Sequence, residues 1–310
     1  MQFDFIPLRF EFVAHDPLYM PPGKAGNILR GAFGSVLRRT TCPPECEHVR
    51  SCVNWQDCPY ARVFEPIRRG AGPSGLEQHP RPFVFRARHL ETCTIERGQP
   101  FHFDVHILSS NPELPRFFIR TFAELGFEGF GPRRSKAELQ SVRRFGPGDP
   151  SGVVCASNEN GMRSVAPVSI DLDGQCRTVN AIRIDFLSPT ELKYKNQVVK
   201  RPDFSILFAR IRDRINSLRT LYGGGPLNID LCSGRRSEAI EMTDCAIGTR
   251  HVTRKSGRTG QVHSIGGFIG CAVYRGELAE FLPYLETARW AGVGRHASWG
   301  NGEIAIHADV

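Results

Sequence analysis

No stretch of the sequence approaches the run of about 20 apolar residues that a bilayer-spanning helix needs, which argues against a helical membrane protein. The opening Met1-Gln2-Phe3-Asp4-Phe5 lacks the basic start and long apolar core of a signal peptide, so a soluble cytoplasmic protein is expected. A P-loop, a His-Glu zinc-protease motif and a dinucleotide fingerprint are all missing, which leaves ATP hydrolysis, proteolysis and hydride transfer without support. Without an export signal, the ten cysteines read as metal ligands where clustered and as buried thiols where scattered, not as a disulfide framework.

What is abundant is positive charge. The formal net charge is +8, which favours an anionic partner, with nucleic acid the leading candidate. The cations gather at Arg133, Arg134 and Lys136, at Arg143 and Arg144, along Arg210 to Arg219, and at Arg250, Arg254, Lys255 and Arg258. The arginines of the 210–219 stretch lie opposite the apolar stripe of a predicted helix, where a solvated face explains them.

The 310 residues suffice for two domains. Alternation over 3–13 predicts a strand, and helical spacing of Ile28, Ala32, Phe33, Val36 and Leu37 predicts a helix from about Lys24 to Arg39. Strands around Phe83 to Ile95 and Phe101 to Leu108, a helix over Leu114 to Leu125 and a further strand complete the first half. The second half repeats this order. It has a strand over Thr178 to Phe186, a helix from Asp203 to Tyr222, and strands around Ile240 to Thr253 and Val262 to Tyr274. A helix within Leu278 to Trp290, with Pro283 in its first turns, and a strand over Glu303 to His307 close it. The reading is an α+β protein of two tandem ferredoxin-like (RRM-like) βαββαβ domains, 1–165 and 166–310, with a Cys-rich insertion at 41–66 in the first. The Gly- and Pro-rich stretch from Arg68 to Pro82 reads as a second, mobile insertion.

Within the Cys-rich insertion, Cys42, Cys46, Cys52 and Cys58 are separated by three, five and five residues. Four thiolates so close in sequence can close a tetrahedral zinc site that orders a segment too small for its own core. Cys58-Pro59 also fits iron–sulfur ligation, His48 could replace one thiol, and reduced, partly buried cysteines are the remaining reading. Any metal here is structural, because four protein ligands leave no open position.

Two glycine-spaced loops follow apolar helices. Gly126 to Arg134 carries Arg133 and Arg134. Gly292 to Glu303 carries Gly292, Gly294, Arg295, His296, Ser298, Gly300 and Gly302, a density that suits a backbone approaching a phosphate, or a hairpin between helix and strand.

Taken together, Leu29-Arg30-Gly31-Ala32-Phe33-Gly34, the segment Cys58-Pro59-Tyr60-Ala61-Arg62-Val63-Phe64-Glu65-Pro66, Gly266-Gly267-Phe268-Ile269-Gly270 and the closing glycine-rich loop resemble the Cas6 endoribonucleases of CRISPR systems, within the RAMP superfamily. That resemblance implies binding of CRISPR repeat RNA and cutting of the precursor into guide RNAs. It implies attack of the 2′-hydroxyl on the adjacent phosphate, without a catalytic metal, leaving a 2′,3′-cyclic phosphate. Such chemistry needs a base, an acid for the leaving 5′-oxygen and positive charge for the phosphorane. By the same resemblance the region of His15, Tyr19 and Lys24 would supply them: His15 as base or acid, Lys24 as charge, Tyr19 as positioning group or acid. His296 is the rival for proton transfer. Arg250, His251, Arg254, Lys255 and Arg258, in a basic turn, would grip the RNA backbone or form a solvated turn. The alternative readings are a catalytically inactive RAMP protein that binds crRNA as a structural subunit beside other Cas effector subunits, and a zinc-ribbon module that binds protein.

Overall fold

The computed structural model describes residues 1–46, 49, 52–66, 79–146, 149–156, 164–174, 178–228, 232–255 and 260–308. His48, Arg258 and most of the 68–82 stretch lie outside the described residues, as does the side chain of Lys255. Two compact units emerge, one of residues 4–169 and 221–223, the other of 1–3, 170–220 and 224–310.

In the first unit the elements run β1 (Gln2–Ala14), β2 (Leu18–Tyr19), α1 (Ala25–Thr41), α2 (Pro59–Val63), β3 (Phe83–Arg86), β4 (Thr94–Ile95), β5 (Pro100–Ile107), α3 (Leu114–Glu128), β6 (Ala137–Gly146), β7 (Asp149–Ala156) and β8 (Val168–Asp171). The sheet order is β3-β5-β1-β6-β7, with β8 also pairing β1. Its first four strands are antiparallel neighbours, the ferredoxin-like arrangement in which each helix crosses over to a non-adjacent strand. Alternation places Leu8, Phe10 and Phe12 of β1 on the core face. The register puts Phe10 opposite Phe103 and Phe12 opposite Phe101, both pairs stacked at 5.4 Å. Phe33 of α1 stacks on Phe118 of α3 at 4.6 Å above this layer. Each such ring contributes roughly 1.5–3 kcal/mol by leaving water.

The strand expected over Phe83 to Ile95 is broken after Arg86 by a 3₁₀ turn at Arg88–Leu90 and by Thr92, whose φ of 66° cannot continue a strand.

The second unit contains β9 (Ala181–Thr190), β10 (Lys193–Tyr194), β11 (Gln197–Val198), α4 (Phe204–Tyr222), α5 (Cys232–Glu238), β12 (Glu241–Arg250), β13 (Thr253–Lys255), β14 (Val262–Ser264), β15 (Gly267–Arg275), α6 (Leu282–Ala291) and β16 (Ile304–Ala308). The order β12-β15-β9-β16 repeats that of the first unit. Phe204, Leu207, Phe208, Ile211, Ile215 and Leu218 form the buried stripe of α4, and Pro283 sits in the first turn of α6. The two long strands expected between 240 and 274 are each divided, because the chain leaves the main sheet after Arg250 to form the separate hairpin β13–β14 and returns at Gly267. No helix among the described residues is long and apolar enough to cross a membrane.

Candidate nucleic-acid interface

In the first unit, β1 ends against the start of β6, with Ala14 opposite Ala137. This register makes a corner of residues distant in sequence. The amides of His15 and Asp16 both donate to the Lys136 carbonyl, at 2.8 and 3.2 Å, and the Lys136 amide donates to the Asp16 carboxylate at 3.0 Å. His15 Nε2 lies 3.5 Å from Glu138 Oε2, with both side chains about half exposed. The imidazole therefore has a carboxylate beside it and solvent on its other side. Asp16, Lys136 and Glu138 were not legible from sequence as neighbours of His15, because only the β1–β6 register brings them there.

Beside this corner is a cavity of about 310 Å³, lined by Pro17, Leu18 and Tyr19 on one side and Phe130, Pro132, Arg133 and Ser135 on the other. Tyr19 is held by pairing of β2 with β4. Arg133 is held by a tight turn in which the amides of Phe130 and Ser135 exchange hydrogen bonds at 2.8 and 3.0 Å. Gly129 is obligatory there, since its φ is 97° and an added Cβ would collide with the Arg134 carbonyl. Ser135 Oγ donates to the Pro17 carbonyl at 2.7 Å and ties the two walls together. Tyr19 and Arg133, selected from separate motifs, thus meet in one cavity. Lys24, just before α1, does not line it.

Many cations elsewhere are paired with carboxylates. Arg9 is paired with Asp104, Arg143 with Glu11, Arg210 and Arg212 with Asp213, Arg236 with Glu280, and Arg289 with Glu286. Lys24, Arg133, Arg134 and Lys136 are exposed and have no acidic partner among the described residues. At this corner Lys136 meets His15 through the backbone, and Arg133 shares the cavity lining with Tyr19.

The closing glycine-rich loop of the second unit is consumed largely by its own chain. An added Cβ at Gly294 would collide with the Glu191 carbonyl, and one at Gly302 with the Val293 carbonyl. Val293 donates to Gly302, Arg295 to Glu191 and Gly302 to Pro189 through their amides, at 2.9, 3.0 and 3.1 Å. Ser188 Oγ donates to the Gly300 carbonyl at 2.9 Å and accepts from the Glu303 amide. The Arg295 guanidinium is paired with the Glu191 carboxylate. Gly292 caps α6 with φ 76°, Gly300 has φ 89°, and Ser298 is half-buried on the turn between them. The glycines thus serve close approach of backbone to backbone.

His296 adopts φ 64°, and its ring stacks on Trp299 at 4.5 Å with its Nε2 buried. Trp299 also lies under the Arg254 guanidinium, 4.8 Å from the ring centroid. Arg254 is paired with His263 across the β13–β14 hairpin, while Arg250 ends β12 and His251 is exposed in the crossover.

Comparison with known proteins adds to this geometry. Residues 3–167, just over half of the chain, match the family model AF_1859_N, an N-terminal domain, and residues 184–304 match that of the CRISPR-associated endoribonuclease Cas6. The second half of the chain is thus similar to Cas6, and the first half carries the AF_1859_N domain. An uncharacterized protein of Archaeoglobus fulgidus is 24% identical over 315 residues, covering 99% of this chain and 100% of the relative. Thermus thermophilus Cas6 aligns in three dimensions with a TM-score of 0.53 at 15% identity over 99% of either chain. The chain of a partial Cas6-RT-Cas1–Cas2 complex aligns with a TM-score of 0.56 at 12% identity, over 99% of this chain and 46% of that one. These structural likenesses establish the Cas6 fold, two tandem ferredoxin-like domains.

Like the corner at His15, the Cys-rich insertion lies in the first unit. Cys42 caps the end of α1 and Cys58 the start of α2, with their Sγ atoms 3.9 Å apart. Burial, with Cys58 and Cys46 adding to it, pushes the Cys42 thiol up to about 12, and burial with Cys52 also raises Cys46. Among the described residues no group of three or more His, Cys, Asp or Glu side chains has the mutual geometry of a metal site.

Proposed function

We propose that this protein binds CRISPR repeat RNA in the cytoplasm and, as a Cas6 endoribonuclease, cleaves the precursor transcript into guide units by attack of a 2′-hydroxyl on the adjacent phosphate. The observation that carries this reading is the meeting of two exposed cations that have no acidic partner among the described residues, Lys136 and Arg133, with His15 and Tyr19. His15 takes the 2′-hydroxyl proton, with Glu138 orienting the imidazole. The 2′-oxygen bonds to phosphorus, the bond to the 5′-oxygen breaks, and that oxygen takes a proton from Tyr19 or the protonated imidazole. A 2′,3′-cyclic phosphate and a 5′-hydroxyl result. Lys136 and Arg133 are placed to offset charge on the phosphorane, and Lys24 and Arg134 to hold flanking phosphates.

His15 is preferred over His296 as the proton carrier because its side chain is about half exposed, with Nε2 facing Glu138 and Nδ1 left for the substrate, while Nε2 of His296 is buried against Trp299. In the second unit, Arg250, His251, Arg254, Lys255 and Arg258 remain the proposed backbone contacts, with Gly292, Gly294, Ser298, Gly300 and Gly302 shaping the loop beside them. Arg295 must exchange its Glu191 partner to reach a phosphate. The cleavage needs no metal. A zinc ion at Cys42, Cys46, Cys52 and Cys58 would be structural. Other Cas effector subunits are the proposed protein partners.

The test is incubation of the purified protein with its cognate repeat RNA in EDTA, with product ends mapped. A single cut with a cyclic phosphate end supports the reading. His15→Ala is expected to slow the cut about 10²–10⁴-fold with RNA affinity unchanged, the range for loss of a general base. Tight binding without a cut would overturn the nuclease in favour of an RNA-binding subunit.

A further inference from the structure

The first unit contains a long segment with few anchors in its core. From 43 to 57 the chain runs fifteen residues between α1 and α2, and its described part contains no strand and no α-helix. Loops of about this length inside compact domains are uncommon without a function or an internal tie. Val53 is 90% exposed, and among its described residues only Val49, which is buried, and Trp55, which is partly buried, pack on the hydrophobic core, a small anchorage for so long a loop.

Its two ends, by contrast, are rigid. Gly34 of α1 seats the Phe64 ring so closely that an added Cβ would collide with it, and Phe64 stacks on Tyr60 at 5.3 Å. This packing fixes α2 against α1 and with it the separation of Cys42 and Cys58, one at each helix end. That separation, 3.9 Å between sulfurs, is far from a disulfide bond, for which about 2.05 Å is required. An ion about 2.3 Å from each of four thiolates in a tetrahedron sets neighbouring sulfurs about 3.8 Å apart. The helix ends thus supply one edge of that tetrahedron. The loop between the helix ends supplies the other two sulfurs, Cys46 and Cys52. Arg38 of α1 donates to the Cys46 carbonyl at 3.1 Å and draws the loop toward the helix.

We infer that Cys42, Cys46, Cys52 and Cys58 form a tetrathiolate zinc site in which the preset Cys42–Cys58 edge captures the ion and Cys46 and Cys52 close over it, folding the 43–57 loop onto the ends of α1 and α2. The closure by Cys46 and Cys52 is the movement that binding produces, in the way metal binding couples to local folding. The site is independent of the RNA-cleavage reading and supplies no group to it.

The test uses the full chain, purified without chelators, with metals measured by mass spectrometry. One zinc per chain is expected. Titration with a mercurial should release it as four thiols react. After removal of zinc by chelation, added Co²⁺ should give the intense charge-transfer spectrum of a tetrahedral thiolate site. Cys46→Ser and Cys52→Ser should each lower zinc content several-fold, while Cys93→Ser, an exposed thiol outside the cluster, should leave it at one. Metal-free protein whose four thiols react freely would overturn the inference. So would iron with visible colour, or an intact mass four hydrogens lower from two disulfides. Because the cobalt spectrum is read on the natural sequence, a serine variant that fails to fold does not remove the test.

Discussion

Two glycines three residues apart in α1 have opposite physical causes. Gly34 is buried under Phe64, so Gly34→Ala overpacks a ring that is itself fixed by Tyr60 and Phe83, at a cost of about 1–3 kcal/mol. Gly31 is exposed and has nothing within 4 Å of an added Cβ. In a helix interior it weakens the helix, so Gly31→Ala is expected to stabilise the protein by up to about 1 kcal/mol. Urea denaturation of both variants checks the pair. If Gly31→Ala instead leaves stability raised but RNA affinity reduced, the bare backbone at position 31 serves the ligand. The glycine-rich loop teaches the same lesson. Its composition was plain in the sequence, but whether a missing Cβ makes room for a phosphate or for Val293 depends on which backbone lies opposite, and that is tertiary information.

At the scale of elements, the strong periodic segments were legible. The alternation in β1 and the apolar stripes of α1, α3 and α4 each follow from one face being buried, and the expected spans differ from the observed ones mainly at their ends. Register was not legible, because it is a relation between two segments that neither carries alone. The meeting of His15 with Glu138 and Lys136, and of Tyr19 with Arg133, depends wholly on it. The short pair β10–β11 was not legible, nor was the separation of β13–β14 from the main sheet, since a two- or three-residue strand has no period to read.

Register also places a titratable group in the β5 layer. His102 lies opposite Glu11 and stacks against His89 at 4.5 Å. Burial, followed by the nearby Arg9 and His89, holds its pKa below the ordinary 6.5. The unfolded chain therefore binds a proton more readily than the folded one. Stability from this group is complete above about pH 6.5 and is lost as pH falls through the lower folded value. The midpoint of thermal unfolding should drop on acidification from neutral pH to about 5, and His102→Gln should show a smaller drop over that window. An identical pH dependence in the variant would assign the loss to other groups.

For the whole molecule, the net charge of +8 is less informative than its distribution, since many arginines are already balanced by carboxylates and the cations around His15 are not. RNA affinity should fall steeply with salt, and log K against log salt should flatten by about 0.7 for each phosphate contact removed from single-stranded RNA. Arg133→Ala combined with Arg134→Ala should reduce that slope by about 1.4, whereas Arg289→Ala, whose guanidinium is held by Glu286, should leave it unchanged. Filter-binding titrations over a range of KCl concentrations measure both.

The stacking of Arg254 and His296 on Trp299 makes that indole an optical reporter. The chain has three tryptophans, so replacing Trp55 and Trp290 with phenylalanine leaves one emitter, touched by a cation from the β13–β14 hairpin and by an imidazole from the closing loop. A guanidinium withdrawn from the ring face, or an imidazole that gains a proton beside it, changes emission without any label. Stopped-flow fluorescence on RNA mixing would then time the hairpin's release from the loop, separately from the appearance of cut product.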